Sequence, residues 1–182
     1  MRTKKSKRRL ASDVNDPRVV TKRWLRSVLK QAITYWASVM KLESIVDEIT
    51  FYITEDDDPG MDIDAGAEVL VASSTRTATI KFKRGVVRKF AGEYQGQFSP
   101  ENVAEMTVLH ELCHIITHPM SKWTHSTIES MRNKGALEKH FVELEEAAVE
   151  HLTRVFFSMK ESIPSAKFKG KVGYLIKDPF KE

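Results

Sequence analysis

Three segments of the chain carry apolar residues every three or four positions, the spacing that places them on one face of an α-helix. The middle segment also has helix-start signals, because Ser99 suits the capping position and Pro100 suits the first helical position. Pro119 is expected to end this helix, since proline lacks the amide hydrogen that a helix interior needs. The predicted helices cover residues 17–42, 103–117 and 141–157.

Three shorter segments, between the first two predicted helices, are rich in the residues typical of β-strands. The last of them alternates strictly between apolar and polar side chains, which predicts a half-buried strand with one face toward water. The predicted strands cover residues 49–54, 68–72 and 77–83.

Composition indicates one domain between two charged tails. A chain of 182 residues with 41% apolar residues is sufficient for a single hydrophobic core. The sequence contains no run of about 18 apolar residues, so no transmembrane helix is expected. The basic residues at the start are not followed by a hydrophobic segment, so a secretory signal is not expected. A single cysteine excludes an intramolecular disulfide. We therefore expect a cytoplasmic protein, with a flexible tail at residues 1–16, a domain at 17–158 and a Lys-rich tail at 159–182.

The charge of the chain is concentrated at its start. The net charge is +4, and the first nine residues hold six Lys or Arg and no acid. Such a tail is most often a solvated arm, and nucleic-acid contact is the weaker interpretation. The rest of the chain is close to neutral, so the folded domain does not have the charge of a nucleic-acid binder.

The most informative sequence is His110-Glu111-Leu112-Cys113-His114, within the middle predicted helix. Positions four residues apart share one helix face, so His110 and His114 can bind the same metal ion. Glu111 is the expected general base, which takes the proton of a zinc-activated water. The motif therefore predicts zinc-assisted hydrolysis with one Zn²⁺ per chain.

Zinc usually takes a third protein ligand, and the third predicted helix supplies the best candidates. Glu146 is the favoured ligand. Glu145 is the alternative, because it falls on the apolar stripe of that helix and a buried carboxylate needs a partner. His125 follows His114 by eleven residues and could complete a three-histidine site instead. His118 stays on the metal-facing side of its helix, so we expect it beside the ligands or in the cleft.

Glu146 and Glu150 resemble the ligand and the accompanying acid of Glu-type zincins, in which the acid four residues on orients a zinc-bound histidine. More broadly, the chain resembles small zincin-like metallopeptidases of phages and prophages over about residues 30–157. This likeness rests on Tyr35-Trp36-Ala37 in the first helix, the strands ITFYIT and ATIKF, and the helices VLHELCHIITHPM and EEAAVEHLTRVF.

The resemblance implies an α+β fold with a small twisted, mainly antiparallel sheet, an N-terminal helix, the motif helix and a C-terminal ligand helix. It implies zinc held by His110, His114 and a Glu of the 145–146 pair, with Glu111 as acid and base, in the cytoplasm of a bacterial host cell. In such proteins a strand shortly before the motif helix forms the edge of the active-site cleft, and residues 77–83 have that position. An extended peptide can pair with such an edge.

We expect a zinc-dependent metallopeptidase that acts on a protein or peptide. A further donor is needed for the oxyanion, and the candidates are His151, Arg154, His140 and Tyr94. One alternative is a non-catalytic zincin-shaped protein that binds a partner or belongs to a virion, although a structural metal site does not need Glu111. The other is a DNA-associated protease similar to the Spartan/SprT group, which depends on the basic tail.

Overall fold

Within the described residues, three α-helices and a small four-stranded sheet form a mixed α+β fold in this computed structural model. The expected tail at residues 1–16 and most of the one at 159–182 lie outside the described residues. No helix in the described part is long and apolar enough to cross a membrane. The structure describes residues 21–62, 65–86, 98–131 and 134–160, and the backbone of residues 175–177.

The first helix, α1 (Lys22–Val39), begins where the Thr21 hydroxyl accepts a hydrogen bond from the Trp24 amide, 3.1 Å away. Its buried residues recur at helical spacing, although the buried face is centred on Leu25, Leu29 and Ile33. The Trp36 indole at its end donates to Glu105, 2.9 Å away, and so ties α1 to the motif helix. A 3-10 helix (Leu42–Ser44) leads from α1 toward the sheet.

The sheet has the strand order β2-β3-β1-β4. Strand β1 pairs in parallel with both β3 and β4, and β2 pairs antiparallel with β3. The expectation of a mainly antiparallel sheet is therefore wrong. A four-residue turn joins β2 to β3. Strand β2 runs opposite to β3, and β3 runs in the same direction as β1. The strands are β1 (Glu48–Thr54), β2 (Ala67–Ala72), β3 (Thr77–Lys83) and β4 (Leu175–Lys177).

Two expectations about the strands change with this order. Strand β3 lies between β2 and β1, so it is not the edge strand expected from residues 77–83, and that edge is β2. Strand β4 comes from the segment interpreted as a Lys-rich tail, so part of residues 159–182 belongs to the sheet.

One face of the sheet is buried. Strands β1 and β3 alternate between buried and partly exposed residues, and their buried positions lie opposite each other in the parallel register. These residues form one core with the apolar faces of α1 and the motif helix. The strand residues in this core are Ile49, Phe51, Ile53, Ala78, Ile80 and Phe82.

The motif helix, α2 (Pro100–Glu129), begins as predicted, because the Ser99 hydroxyl accepts from the Asn102 amide at 3.2 Å. It does not end at Pro119, so that expectation is wrong. Proline removes one helical hydrogen bond, but packing against the next helix holds the extension in place. Ile128, near its end, is 8% exposed.

The last helix, α3 (Lys134–Met159), runs antiparallel to α2. Residue pairs show this directly, since Ser121 contacts Glu145 and His110 lies near Glu150. The described side chains of α3 are mostly exposed, and only Val149 and Thr153 are buried. Three partly buried apolar residues in its C-terminal half also pack against the core, and polar contacts with α2 add to the interface.

Candidate metal centre and its cavity

The two histidines of the motif converge at one point beside α2. Their Nε2 atoms lie 3.3 Å apart, and the rings meet edge to face. On the opposite side of α2, Leu109, Leu112 and Cys113 are fully buried, which fixes the rotation of the helix. Packing of the sequence's apolar stripe thus turns His110 and His114 away from the core.

Glu146, from α3, reaches the same point. Its carboxylate oxygens lie 3.5 Å from the His110 Nε2 and 3.4 Å from the His114 Nε2. Two donors bound to a tetrahedral zinc ion at about 2.05 Å are about 3.3 Å apart, close to all three separations. The donor set and its spacing therefore fit a divalent ion such as zinc, with one coordination position open for water.

The two rival third ligands lie elsewhere. Glu145 is turned toward the other side of His114, where its oxygen is 3.9 Å from Nδ1. The hydroxyl groups of Thr117 and Ser121 donate to Glu145 there. The His125 ring packs edge to face on an aromatic ring of α3 and lies near Glu138, at 3.9 Å. Of the three candidates, Glu146 is the one grouped with both histidines.

A carboxylate faces the Nδ1 atom of each motif histidine. Glu150 lies 3.8 Å from the His110 Nδ1 and also accepts a hydrogen bond from Arg154 at 2.8 Å. Glu145 has the equivalent place beside His114. These acids can orient the rings so that Nε2 points to the metal.

The pKa values at this centre shift with burial and neighbouring charge. Burial raises the pKa of Glu111 to about 7, opposed by His110 and reinforced by the carboxylates of Glu146 and Glu68. Burial lowers the pKa of His114. At His110 burial also lowers the pKa, but the hydrogen bond to Glu146 and nearby carboxylates outweigh it, so the pKa is raised. The same bond lowers the pKa of Glu146.

A cavity of about 1000 Å³ opens beside the centre between β2, α2 and α3. Glu111 forms part of its wall and is 5% exposed. His118 also lines the cavity, and its Nε2 lies 3.0 Å from the Ser73 hydroxyl in the turn after β2. This contact joins the edge strand to the motif helix.

The oxyanion candidates do not gather in this cavity. His140, His151 and Arg154 are not among its lining residues, and Tyr94 lies outside the described residues. Arg154 is instead bound to Glu150. The described groups that can donate a hydrogen bond from the wall include His118, named from the sequence as a cleft residue, and Lys122, which had no assigned role.

Sequence reasoning also missed Glu68, an acid of β2 that lines the cavity. Its signal was a carboxylate inside an otherwise apolar strand segment, AEVLVA. The lining role depends on β2 being the edge strand, which the sequence did not predict.

No protein-family model, curated protein or solved structure matches this chain. The functional argument therefore rests on the geometry of the site itself.

Proposed function

We propose that this protein is a zinc-dependent metallopeptidase. The observation that carries the proposal is the meeting of His110, His114 and Glu146 at tetrahedral spacing, next to the buried acid Glu111 and inside a large cavity. Zinc held by these three residues would supply a Lewis acid that activates water and polarises a carbonyl group.

Glu111 is the proton carrier of this mechanism. Burial raises its pKa to about 7, so at neutral pH it can both accept and return a proton. It takes the proton from the attacking water and passes it to the nitrogen of the breaking peptide bond, which leaves as an amine. A purely structural metal site has no need of such an acid, which favours catalysis over the non-catalytic alternative.

The edge strand supports a peptide as the substrate class. Strand β2 has β3 on one side and is the edge of the described sheet, and its residues Ala67, Val69 and Val71 line the cavity. An extended peptide beside β2 can form main-chain hydrogen bonds with it while its scissile bond approaches the metal centre. An edge strand beside a motif helix and a ligand helix also supports the zincin-like assignment of the fold.

Metal content is the first test, by elemental analysis of the purified protein with Glu146→Ala, Glu145→Ala and His125→Ala variants. We expect about one zinc per chain in the wild type, lost in Glu146→Ala and kept in the other two at saturating zinc. Loss in a different variant would reassign the third ligand. Absence of zinc after loading would remove the basis of the proposal.

Turnover is the second test. The zinc-loaded wild type is incubated with a mixed peptide library, and the products are identified by mass spectrometry beside a Glu111→Gln variant. We expect cleavage by the wild type and a loss of at least about a hundredfold in the variant, which keeps its zinc. Equal cleavage by both proteins would reject Glu111 as the proton carrier.

A further inference from the structure

Glu68 is a partly buried acid with one carboxylate oxygen that lacks a partner. Its Oε2 atom is buried and has no hydrogen-bond partner among the described residues. Its register partner on β3 is Lys81, but that ammonium group donates to the Gly60 carbonyl, 3.1 Å away. A buried carboxylate oxygen without a hydrogen-bond partner costs free energy, and a ligand that donates to the carboxyl group can reduce that cost.

The position of Glu68 in the cavity indicates that the ligand is a peptide. Glu68 lies on the edge strand β2 and lines the cavity that contains the metal centre. A peptide that pairs with β2 therefore passes beside Glu68 as it reaches the motif residues.

The charge of the cavity wall also favours a positively charged ligand. Its wall holds six glutamates and one lysine, Lys122, although the whole chain has a net charge of +4. The two positive charges of a bound zinc ion would leave the wall negative. A low-dielectric cleft of one sign attracts ligands of the opposite sign.

We propose that Glu68 binds a cationic group of the substrate, an ammonium or a guanidinium, next to the bond that is cleaved. This inference rests on the proposed peptidase function and names the substrate class of that site. Glu68 acts here as a specificity residue, because it contacts the substrate away from the reacting atoms. The cation is either an Arg or Lys side chain or the free amino terminus of the peptide.

Binding to the zinc-loaded Glu111→Gln protein tests this without turnover. The probes are peptide pools that differ in one position, arginine against its neutral isostere citrulline, each with a free or an acetylated amino terminus. We expect the cationic members to bind about tenfold or more tightly, as for a hydrogen bond to a charged group. Preference for arginine identifies a side-chain site, and preference for the free terminus identifies an amino-terminal site.

Glu68→Gln in the same background should remove the preference and keep the zinc content. The matched control is Glu143→Gln, which removes the same charge from an exposed position outside the cavity and should retain the preference. Equal binding of charged and neutral probes by the Glu68-containing protein would overturn the inference even if the Glu68→Gln variant fails to fold. So would a preference that survives Glu68→Gln.

The outcomes also separate this inference from the peptidase proposal. Cleavage by the wild type without any charge preference supports the peptidase and rejects the role of Glu68. Binding that depends on Glu68 and on the cation, in a wild type that cleaves no peptide, supports the cation site and rejects the peptidase.

Discussion

Glu145 and Glu146 are neighbours in the sequence with different surroundings in the structure. Glu146 is half exposed and faces the Nε2 atoms of both motif histidines. Glu145 is largely buried and lies between the His114 Nδ1 and two hydroxyl groups of α2. A carboxylate in that position holds an imidazole in the orientation and tautomer that metal binding needs.

Glu145→Gln should therefore weaken zinc binding without removing a ligand. We expect the zinc dissociation constant to rise about ten- to hundredfold, the usual effect of losing an orienting partner. Competition with a chromophoric chelator measures it, with Glu143→Gln as the exposed control. A complete loss of stoichiometric zinc would show that Glu145 is itself a ligand.

Glu111 should destabilise the metal-free protein at neutral pH. Its folded-state pKa of about 7 lies above the ordinary value of 4.5, so stability falls as the pH rises between these two values. Glu111→Gln has no charge to bury, so above about pH 7.5 the variant should be more stable by up to about 3 kcal/mol. Urea unfolding with a chelator present measures this.

The stabilities of Glu111→Gln and the wild type should be compared at two pH values, one near neutral and one near 4.5. Near pH 4.5 the wild-type carboxyl is protonated when folded, so most of the difference should disappear there. A variant that is less stable at both pH values would contradict the assignment of burial as the dominant cause.

At the scale of residues, the spacing of the motif was enough to place two histidines together, because both belong to one helix. The third candidate ligand was harder to predict, since adjacent helical positions differ by about 100° and the rotation of α3 decides which of them faces the histidines. Leu144 and Val155 continue the apolar spacing of residues 141–157, yet they are 56% and 39% exposed. Val149 and Thr153 are the buried positions of α3, and they set the rotation that presents Glu146.

At the scale of elements, α2 continues through Pro119 for ten more residues. Its second part packs on α3 through Ser121 and the His125 ring. The sequence could predict the start of α2 from local capping chemistry. It could not predict its end, because contacts with a distant segment outweigh the local preference of proline.

Pro119→Ala should stabilise the protein. Alanine restores the amide that proline lacks and removes the clash of its ring with the preceding turn, while the unfolded chain gains some freedom. We expect the free energy of unfolding to rise by about 1–2 kcal/mol, measured by urea unfolding of the zinc-loaded protein. The control is Met120→Ala at the next position, which is 70% exposed. A lower stability of Pro119→Ala would show that the proline side chain contributes to packing.

At the scale of the whole molecule, the sequence pattern predicted which strand faces are buried but not the order of the strands in the sheet. The alternation in β3 correctly indicated one buried face, because it reflects the environment of each side chain. Whether a strand lies at the centre or the edge depends on pairing with distant segments, and both give the same alternation. The cleft edge was therefore assigned to β3, although β2 has that position and carries Glu68 to the cavity.

The candidate metal centre is shared between two helices. His110 and His114 come from α2 and Glu146 from α3, whose described side chains include only two buried ones. Zinc binding to the folded state should therefore stabilise the docking of α3 and, with it, the molecule. With free zinc at about a hundred times the dissociation constant, the gain is about 2.7 kcal/mol.

Chelation should therefore lower the thermal midpoint by about 5–10 °C for a domain of this size. Circular dichroism with excess zinc and with excess chelator measures the difference. His110→Ala, which removes a ligand, should unfold at the same temperature in both conditions. Acid should reduce the difference in the wild type, because both histidines must be unprotonated to bind the ion. An identical midpoint with and without zinc, in protein shown to bind it, would mean that the unfolded chain binds zinc as tightly as the folded protein and would contradict a folded metal site.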